Sequence, residues 1–552
     1  MFNLISEAWI PVVRRDGKRE AIPPWGITDG MDVNPVVAMD WPRPDFEAGV
    51  AEFLVGLLQT TLEPADDKAW ERLLTAPPQP ESLRVAFAKE ADAFELFNED
   101  GPAFQQDFTP GDLHKDWDIR DLLISAAGSE MFVRSGAVRA LCPSCAAAAL
   151  QVLQQFAPSG GRGHRVSLRG GGPVSGLVLG DTLWATLWSN VVLRKDYDKG
   201  TDAQAPRAGG IFPWLAPTRT SSNDEAILAG NVHPLHVFWS MPRRIRLTAP
   251  DTEGQCDVCG ISGPVVTSFR AVHHGGKYSG EWRHPLTPMR IDQNAGPLSI
   301  KGTALMGCYR DWWGLLFAER EKVGDEMVTR RHPSPAVLRH LERLHSEYRD
   351  VHEIRLRFCG YAMDNMKPLA WAEETMPARV AATSEDRKQQ AEEVERLVRC
   401  ADHVRSCLYS AVGGALADEK QKSPNGSTLL EAVNVRFWSA TQPAFLDAVD
   451  RCLARLDDED ARKAARRVFL ETLQNRAAAI FNESVLAVSP DDTQFERIGA
   501  AWGKLRGYTH GDKSRVWDIL GILPPRRPER PEPPESPEFA EQAAPQEQGA
   551  NR

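Results

Sequence analysis

The chain has 552 residues, 42% hydrophobic and 26% charged, enough to bury large cores in two or three domains of an ordinary soluble globular protein. No stretch approaches 18 uninterrupted apolar residues, which excludes a membrane-spanning helix. The opening Met1–Pro11 has no basic region followed by an apolar core, so no secretory signal is expected. The net charge of −11 excludes a generally basic nucleic-acid binder, but not a local basic groove, because net charge governs solubility and long-range steering.

Residues 1–378 read as a large, irregular α+β domain, with frequent Gly and Pro and short apolar runs such as those starting at Gly176 and Leu187. Within it, Phe46 to Leu62 carries apolar residues at helical spacing. Two Cys-x-x-Cys pairs follow, Cys142/Cys145 and Cys256/Cys259, with 110 residues between them. Two residues between sulfurs let one tight turn present both to a single ion, so each pair is half of a tetrahedral thiolate site, and one structural zinc per chain is expected. The alternative is two unrelated pairs of small buried residues. The other cysteines (Cys308, Cys359, Cys400, Cys407, Cys452) are scattered, which points to a reducing cytoplasm and not to a disulfide framework.

After the first pair comes Ala157–Gly172, with six glycines and with Arg162, His164, Arg165 and Arg169. Its backbone N–H groups and cations suit close approach to a phosphate backbone, and its composition equally suits a solvated surface loop. Neither a Walker A loop nor a dinucleotide fingerprint is present. After the second pair, Phe269–Trp282 reads as a hairpin tipped by Gly275-Gly276 that projects Arg270, His273, His274 and Lys277 outward, as a DNA groove would require, or simply into solvent. Enzyme signatures mostly fail. His352-Glu353 lacks the second zincin histidine, with Leu356 in its place. His345-Ser-Glu347 is followed by no Cys-x-x-Cys, and no Gly-x-Ser-x-Gly elbow appears.

Residues 379–512 read as an antiparallel four-helix bundle. Its first stripe runs through Val394, Leu397, Val404 and Leu408; later ones pass through Phe445 and Val449, through Val468, Phe469 and Leu473, and through Phe495, Ile498, Trp502 and Leu505. Residues 513–552 form a C-terminal extension, Pro/Glu-rich and disordered from about 524, whose composition cannot build a core.

Taken in order, Phe2–Pro11, the first cysteine pair, the glycine loop, the second pair, Gly360–Lys367 and the bundle resemble the large subunit of the type I-E Cascade complex, the CasA family, over nearly the whole chain except the tail. The resemblance implies a non-catalytic subunit of an RNA-guided CRISPR surveillance complex. Such a subunit recognises the PAM in double-stranded DNA, helps open the duplex and recruits a helicase-nuclease. Its implied partners are the backbone and small subunits, the 5′ handle of the guide RNA, target DNA and that nuclease. Residue by residue, the resemblance assigns PAM contact to Ser159, Gly160, Gly161 and Arg162. It assigns the basic finger to Arg270–Gly276, with His273 standing where relatives carry lysine and with Arg270, His274 or Lys277 as substitutes. It assigns the duplex-splitting wedge to Asn365, and an RNA-handle or DNA loop to Phe132, Val133 and Arg134. The alternative is a zinc-dependent nucleic-acid hydrolase or deaminase, which four thiolate ligands disfavour because they leave no open position for water.

Overall fold

The computed structural model describes residues 2–109, 113, 115–126, 133–134, 136–158, 161, 163–292, 296–303, 309–310, 315, 319–323, 326–343, 353–364, 367–379, 384–416, 425–486 and 492–525. A helix α1 (Pro44–Leu62) begins on a proline, whose missing N–H costs nothing at a first turn, and it is buried around most of its circumference. Two glycines let neighbours reach its axis. A Cβ on Gly49 would stand 2.6 Å from Val152 of helix α2 (Pro143–Phe156), and one on Gly56 would stand 3.0 Å from Phe238. Around α1, edge-to-face contacts link Phe53, Phe94, Phe104, Phe212, Trp214 and Trp239 into one aromatic core.

Small antiparallel sheets wrap this core. The strands β1 (Ile10–Arg14), β2 (Arg19–Ile22) and β3 (Val36–Met39) form one sheet in the order β2-β1-β3. The strands β4 (Asp116–Asp118), β6 (Arg244–Leu247) and β9 (Ser268–Val272) form another in the order β4-β9-β6. Between them β7 (Thr252–Gln255) and β8 (Ser262–Val265) pair as a hairpin. A four-stranded sheet has the order β11-β10-β13-β12, built from Gly296–Ser299, Met289–Asp292, Glu326–His332 and Glu319–Val323. Finally β5 (Ser175–Leu179) lies beside a long hairpin of β14 (Glu353–Asp364) and β15 (Lys367–Arg379), whose register runs from Glu353↔Arg379 to Asp364↔Lys367.

Four long helices follow, α3 (Ser384–Leu416), α4 (Asn425–Leu453), α5 (Glu459–Leu486) and α6 (Asp492–His510). The architecture is thus the α+β body with a helical bundle expected from the pattern. Two stripe positions are corrected: Val468 and Phe495 are exposed, and Leu470 and Ala501 take the buried places instead. The extension also begins with structure, a short helix α7 (Arg515–Leu520) capped by Ser514 and packed through Val516, Trp517 and Leu520. The bundle's core does not stop at its first helix. It includes Leu356, Phe358, Ala372 and Met376 of the β14–β15 hairpin. No helix among the described residues is long and apolar enough to cross a membrane.

Candidate functional site: a cysteine cluster and three converging segments

Cys142 is the N-cap of α2, where its Sγ accepts from the N–H of Cys145 at 3.5 Å. Cys256 and Cys259 occupy the turn between β7 and β8. That turn is closed by the Gly260 N–H donating to the Cys256 carbonyl at 2.9 Å, with Gly260 at φ +76°, where a side chain would be strained. Asp257 joins the two turns by accepting from the N–H groups of Arg139 (2.7 Å) and Ala140 (3.0 Å). The four sulfurs all lie within 4.8 Å of one another, with Cys142 and Cys259 3.6 Å apart. Zinc–sulfur bonds of about 2.3 Å place tetrahedral sulfurs about 3.8 Å apart, so the donor set fits one tetrahedral cation. Hydrogen bonds from Cys142 and Cys145 pull the Cys256 thiol well down, while Cys142 pushes the Cys145 thiol up. A divalent cation removes that conflict by taking four thiolates at once.

Helix α2 carries the first pair directly into the glycine loop, and β8 and β9 carry the second into the finger. The two then touch. The His274 N–H donates to the Gly163 carbonyl at 2.8 Å, and the His164 and His273 rings stand 4.4 Å apart edge to face. Gly163, at φ +74°, has no room for a side chain, since a Cβ would come within 2.8 Å of His273 and 3.0 Å of the His274 nitrogen. At its other end the loop meets the hairpin. Gly172, at φ +60°, would place a Cβ 2.7 Å from Met363 and from the Tyr361 carbonyl. The hairpin is in turn fastened to α1 by Tyr361 donating to Asp45 (2.5 Å) and by Arg357 paired with Glu47 (2.5 Å).

The finger differs from the expected projecting hairpin. Gly275 and Gly276 are buried, and a Cβ on Gly275 would stand 2.0 Å from the Pro242 carbonyl. The flat diglycine lets the chain slide beneath Pro242, and Ser221 holds it there through the carbonyls of His274 (3.1 Å) and Gly275 (2.8 Å). His273 and His274 remain exposed, the latter in left-handed backbone at φ +64°. Arg270 is half-buried in the central strand β9, facing Asp116 on one side and Arg246 on the other. Lys277 is engaged by Asp224 at 2.6 Å, and Arg165 donates to Ser221 at 2.8 Å.

The loop's charges also sort differently from their composition. Arg169 is 3% exposed and makes a bidentate pair with Glu52 at 2.9 and 2.8 Å, supplemented by Ser175 and Thr287, so it builds the core and offers nothing to a ligand. His164 is neutral at physiological pH, because burial and the adjacent Arg243 lower it to about 4. Gly161 is exposed at φ +74°. Ser159, Gly160, Arg162, Asn365, Met366 and Phe132 lie outside the described residues, as do His345, Glu347 and His352. The strands flanking Asn365 end at Asp364 and resume at Lys367, and Met363 just before it is half-buried against the core. Val133 is buried with its carbonyl accepting from Arg120 at 3.2 Å, and Arg134 is exposed. Sequence reasoning missed Arg243, whose guanidinium donates to His164 and to the Pro158 carbonyl and so fixes the base of the glycine loop. Its alternating setting, Arg244-Ile245-Arg246, signals only a strand.

A body of small sheets joined to a terminal helical bundle is the fold of several solved CasA chains. Thermobifida fusca Cse1 superposes with a TM-score of 0.68 at 17% identity, covering 95% of this chain and 98% of that one. A chain of a structure described as a CRISPR RNA-guided surveillance complex superposes with a TM-score of 0.66 at 16% identity, covering 91% and 99%. In sequence, CRISPR-associated protein CasA/Cse1 of Thermus thermophilus is 24% identical over 507 residues, 85% of this chain and 91% of the relative. The fold is therefore that of the CasA/Cse1 chains. Residues 3–480 match the model of the CRISPR-associated protein Cse1 family, and the chain belongs to that family, the CasA large subunits of Cascade.

Proposed function

We propose that this Cascade large subunit reads the PAM of double-stranded target DNA, helps open the duplex beside it and recruits a separate helicase-nuclease, without cutting DNA itself. One observation carries the reading. The glycine loop abuts the finger at Gly163 and the β14–β15 hairpin at Gly172, so segments more than 100 residues apart in sequence are packed into one unit. This unit offers exposed Gly161 from the loop and exposed His273 and His274 from the finger. This suits minor-groove readout, where the hydrogen-bond code is degenerate and guide pairing supplies the remaining specificity. The cysteine cluster is read as one structural zinc that holds the roots of loop and finger; four sulfurs leave it no open position for a catalytic water. Its partners in this reading are the other Cascade subunits, the 5′ handle of the guide RNA and the nuclease.

The test is target binding by a reconstituted complex carrying Asn365→Ala, or Gly160→Asp together with Gly161→Asp. Placing carboxylates against phosphates should lower affinity for PAM-bearing duplex by roughly tenfold or more. Affinity and PAM discrimination unchanged in both variants would remove the reading and leave a scaffold whose loop touches only protein. Metal-dependent nuclease or deaminase turnover by the purified chain, abolished by a point substitution, would overturn the non-catalytic assignment.

A further inference from the structure

Beside the junction of glycine loop and finger lies a cavity of about 280 Å³. Leu123, Ile124, Ile245 and Ala271 give it apolar walls, and Trp117 and Phe269 add two near-parallel rings with centroids 6.3 Å apart. The exposed Lys115 ammonium stands 4.2 Å over the Trp117 ring. Two buried polar atoms of this lining are donors whose acceptors are missing among the described residues. They are the Trp117 Nε1–H and the Arg243 Nε–H, neither of which has a hydrogen-bond partner among the described residues. No carboxylate is paired with the Arg243 guanidinium among the described residues; its contacts are the neutral His164 ring and the Pro158 carbonyl. Among the described lining residues the only carboxylate is Asp121, exposed at the mouth.

A half-buried cation with no paired carboxylate is costly to maintain, and buried donors left unmade are costly too, so the site suits something that arrives with acceptors and negative charge. A hydrocarbon side chain would fill the walls and leave those donors bare. A free phosphate would satisfy the donors and leave the aromatic walls wet. Whole-ligand sites run to several hundred cubic ångströms, so this volume suits one ring system with the rest of its molecule outside. We propose that the cavity receives one unpaired nucleotide of a bound strand, its base against Trp117 and Phe269 and its phosphate at Arg243. Extruded bases are held in this way wherever a protein takes a nucleotide out of a stack. Asp121 at the mouth favours a base with an exocyclic amino group over thymine or uracil. This inference rests on the reading of the adjoining loops as a nucleic-acid surface.

The test is photocrosslinking in the reconstituted complex, with 5-iodocytosine placed singly along each DNA strand around the PAM and along the 5′ handle of the guide RNA. One position should crosslink to Trp117 or Phe269, and the strand that holds it identifies the source. Ala271→Trp, which fills the cavity without touching the loop's charges, should abolish that crosslink and weaken binding of the same strand by roughly tenfold. Arg243→Lys, which keeps the charge, should retain the crosslink. Crosslinks to neither ring from any strand, in a complex that binds its target normally, would overturn the proposal. So would unchanged binding and crosslinking in the Ala271→Trp variant, or a side chain of another subunit found in the cavity. If the wild-type complex fails to bind duplex, the PAM reading falls by itself. The guide-RNA arm, together with cytidine monophosphate titrated against the chain, then decides the cavity, and silence in both overturns it.

Discussion

His236 shows how one buried ring sets a pH limit. It is 1% exposed, with Nδ1–H donating to the Gly210 carbonyl at 2.9 Å and Nε2 accepting from the Tyr278 hydroxyl at 3.1 Å. Burial lowers it to about 4, aided by Arg219 and His233. Between that value and the unfolded one near 6.5 only the unfolded chain takes up the proton. The ring's contribution is therefore complete above about pH 6.5 and is lost as pH falls toward about 4. Denaturant titrations should show about 2 kcal/mol less stability at about pH 5 than at neutral pH from this group, a slope that His236→Gln should reduce. Gly163 sets a different limit. Gly163→Ala must accommodate φ +74° and overlap with His273 and the His274 nitrogen. It should cost about 1–2 kcal/mol locally and weaken PAM binding several-fold in equilibrium titrations, with little change in the Tm of the bundle.

At the scale of elements, α1 holds the glycine loop and the long hairpin by its charges. Glu52 carries the glycine loop through Arg169, and Asp45 and Glu47 carry the hairpin through Tyr361 and Arg357. Arg169→Met strands the Glu52 carboxylate in the core, so it should destabilise the chain by roughly 3–5 kcal/mol by denaturant unfolding, and Glu52→Gln added to it should restore part of that loss. This division of labour was only partly legible in the sequence. Long helices announce themselves by repetition, and α1 and the bundle follow their apolar spacing closely. Arg165 and Arg169 are identical in type and nearly adjacent, yet one lies near the surface and the other in the core, because the acid that claims Arg169 lies 117 residues away. The diglycine of the finger reads as a hairpin tip on local rules; the Pro242 carbonyl that covers it comes from another strand's approach. Arg243 carried no local signal at all, since its meaning comes from the loop it supports.

For the whole molecule, the cysteine cluster and the long hairpin act as its two fastenings. Metal analysis of purified protein should give about one zinc per chain. Cys145→Ser or Cys256→Ser should remove it, lower the Tm by roughly 5 °C or more and reduce PAM binding along with stability. Absence of metal from well-folded, fully active protein would leave the loops to packing alone. The hairpin, for its part, places Tyr361 in the core around α1 and Leu356, Phe358 and Met376 in the core of the bundle, so the two cores share one ribbon of sheet.

The contacts at Gly163 and Gly172 bear on how this protein changes over time. A loop that must be bare of side chains where it crosses both finger and hairpin is not an interchangeable part. Any new residue there needs matching space at His273 or Met363. A glycine loop transplanted alone from a distant relative should therefore fail where a joint transplant of loop, finger and hairpin succeeds. Change in any one of the three segments must move through the others with it, as a single heritable unit.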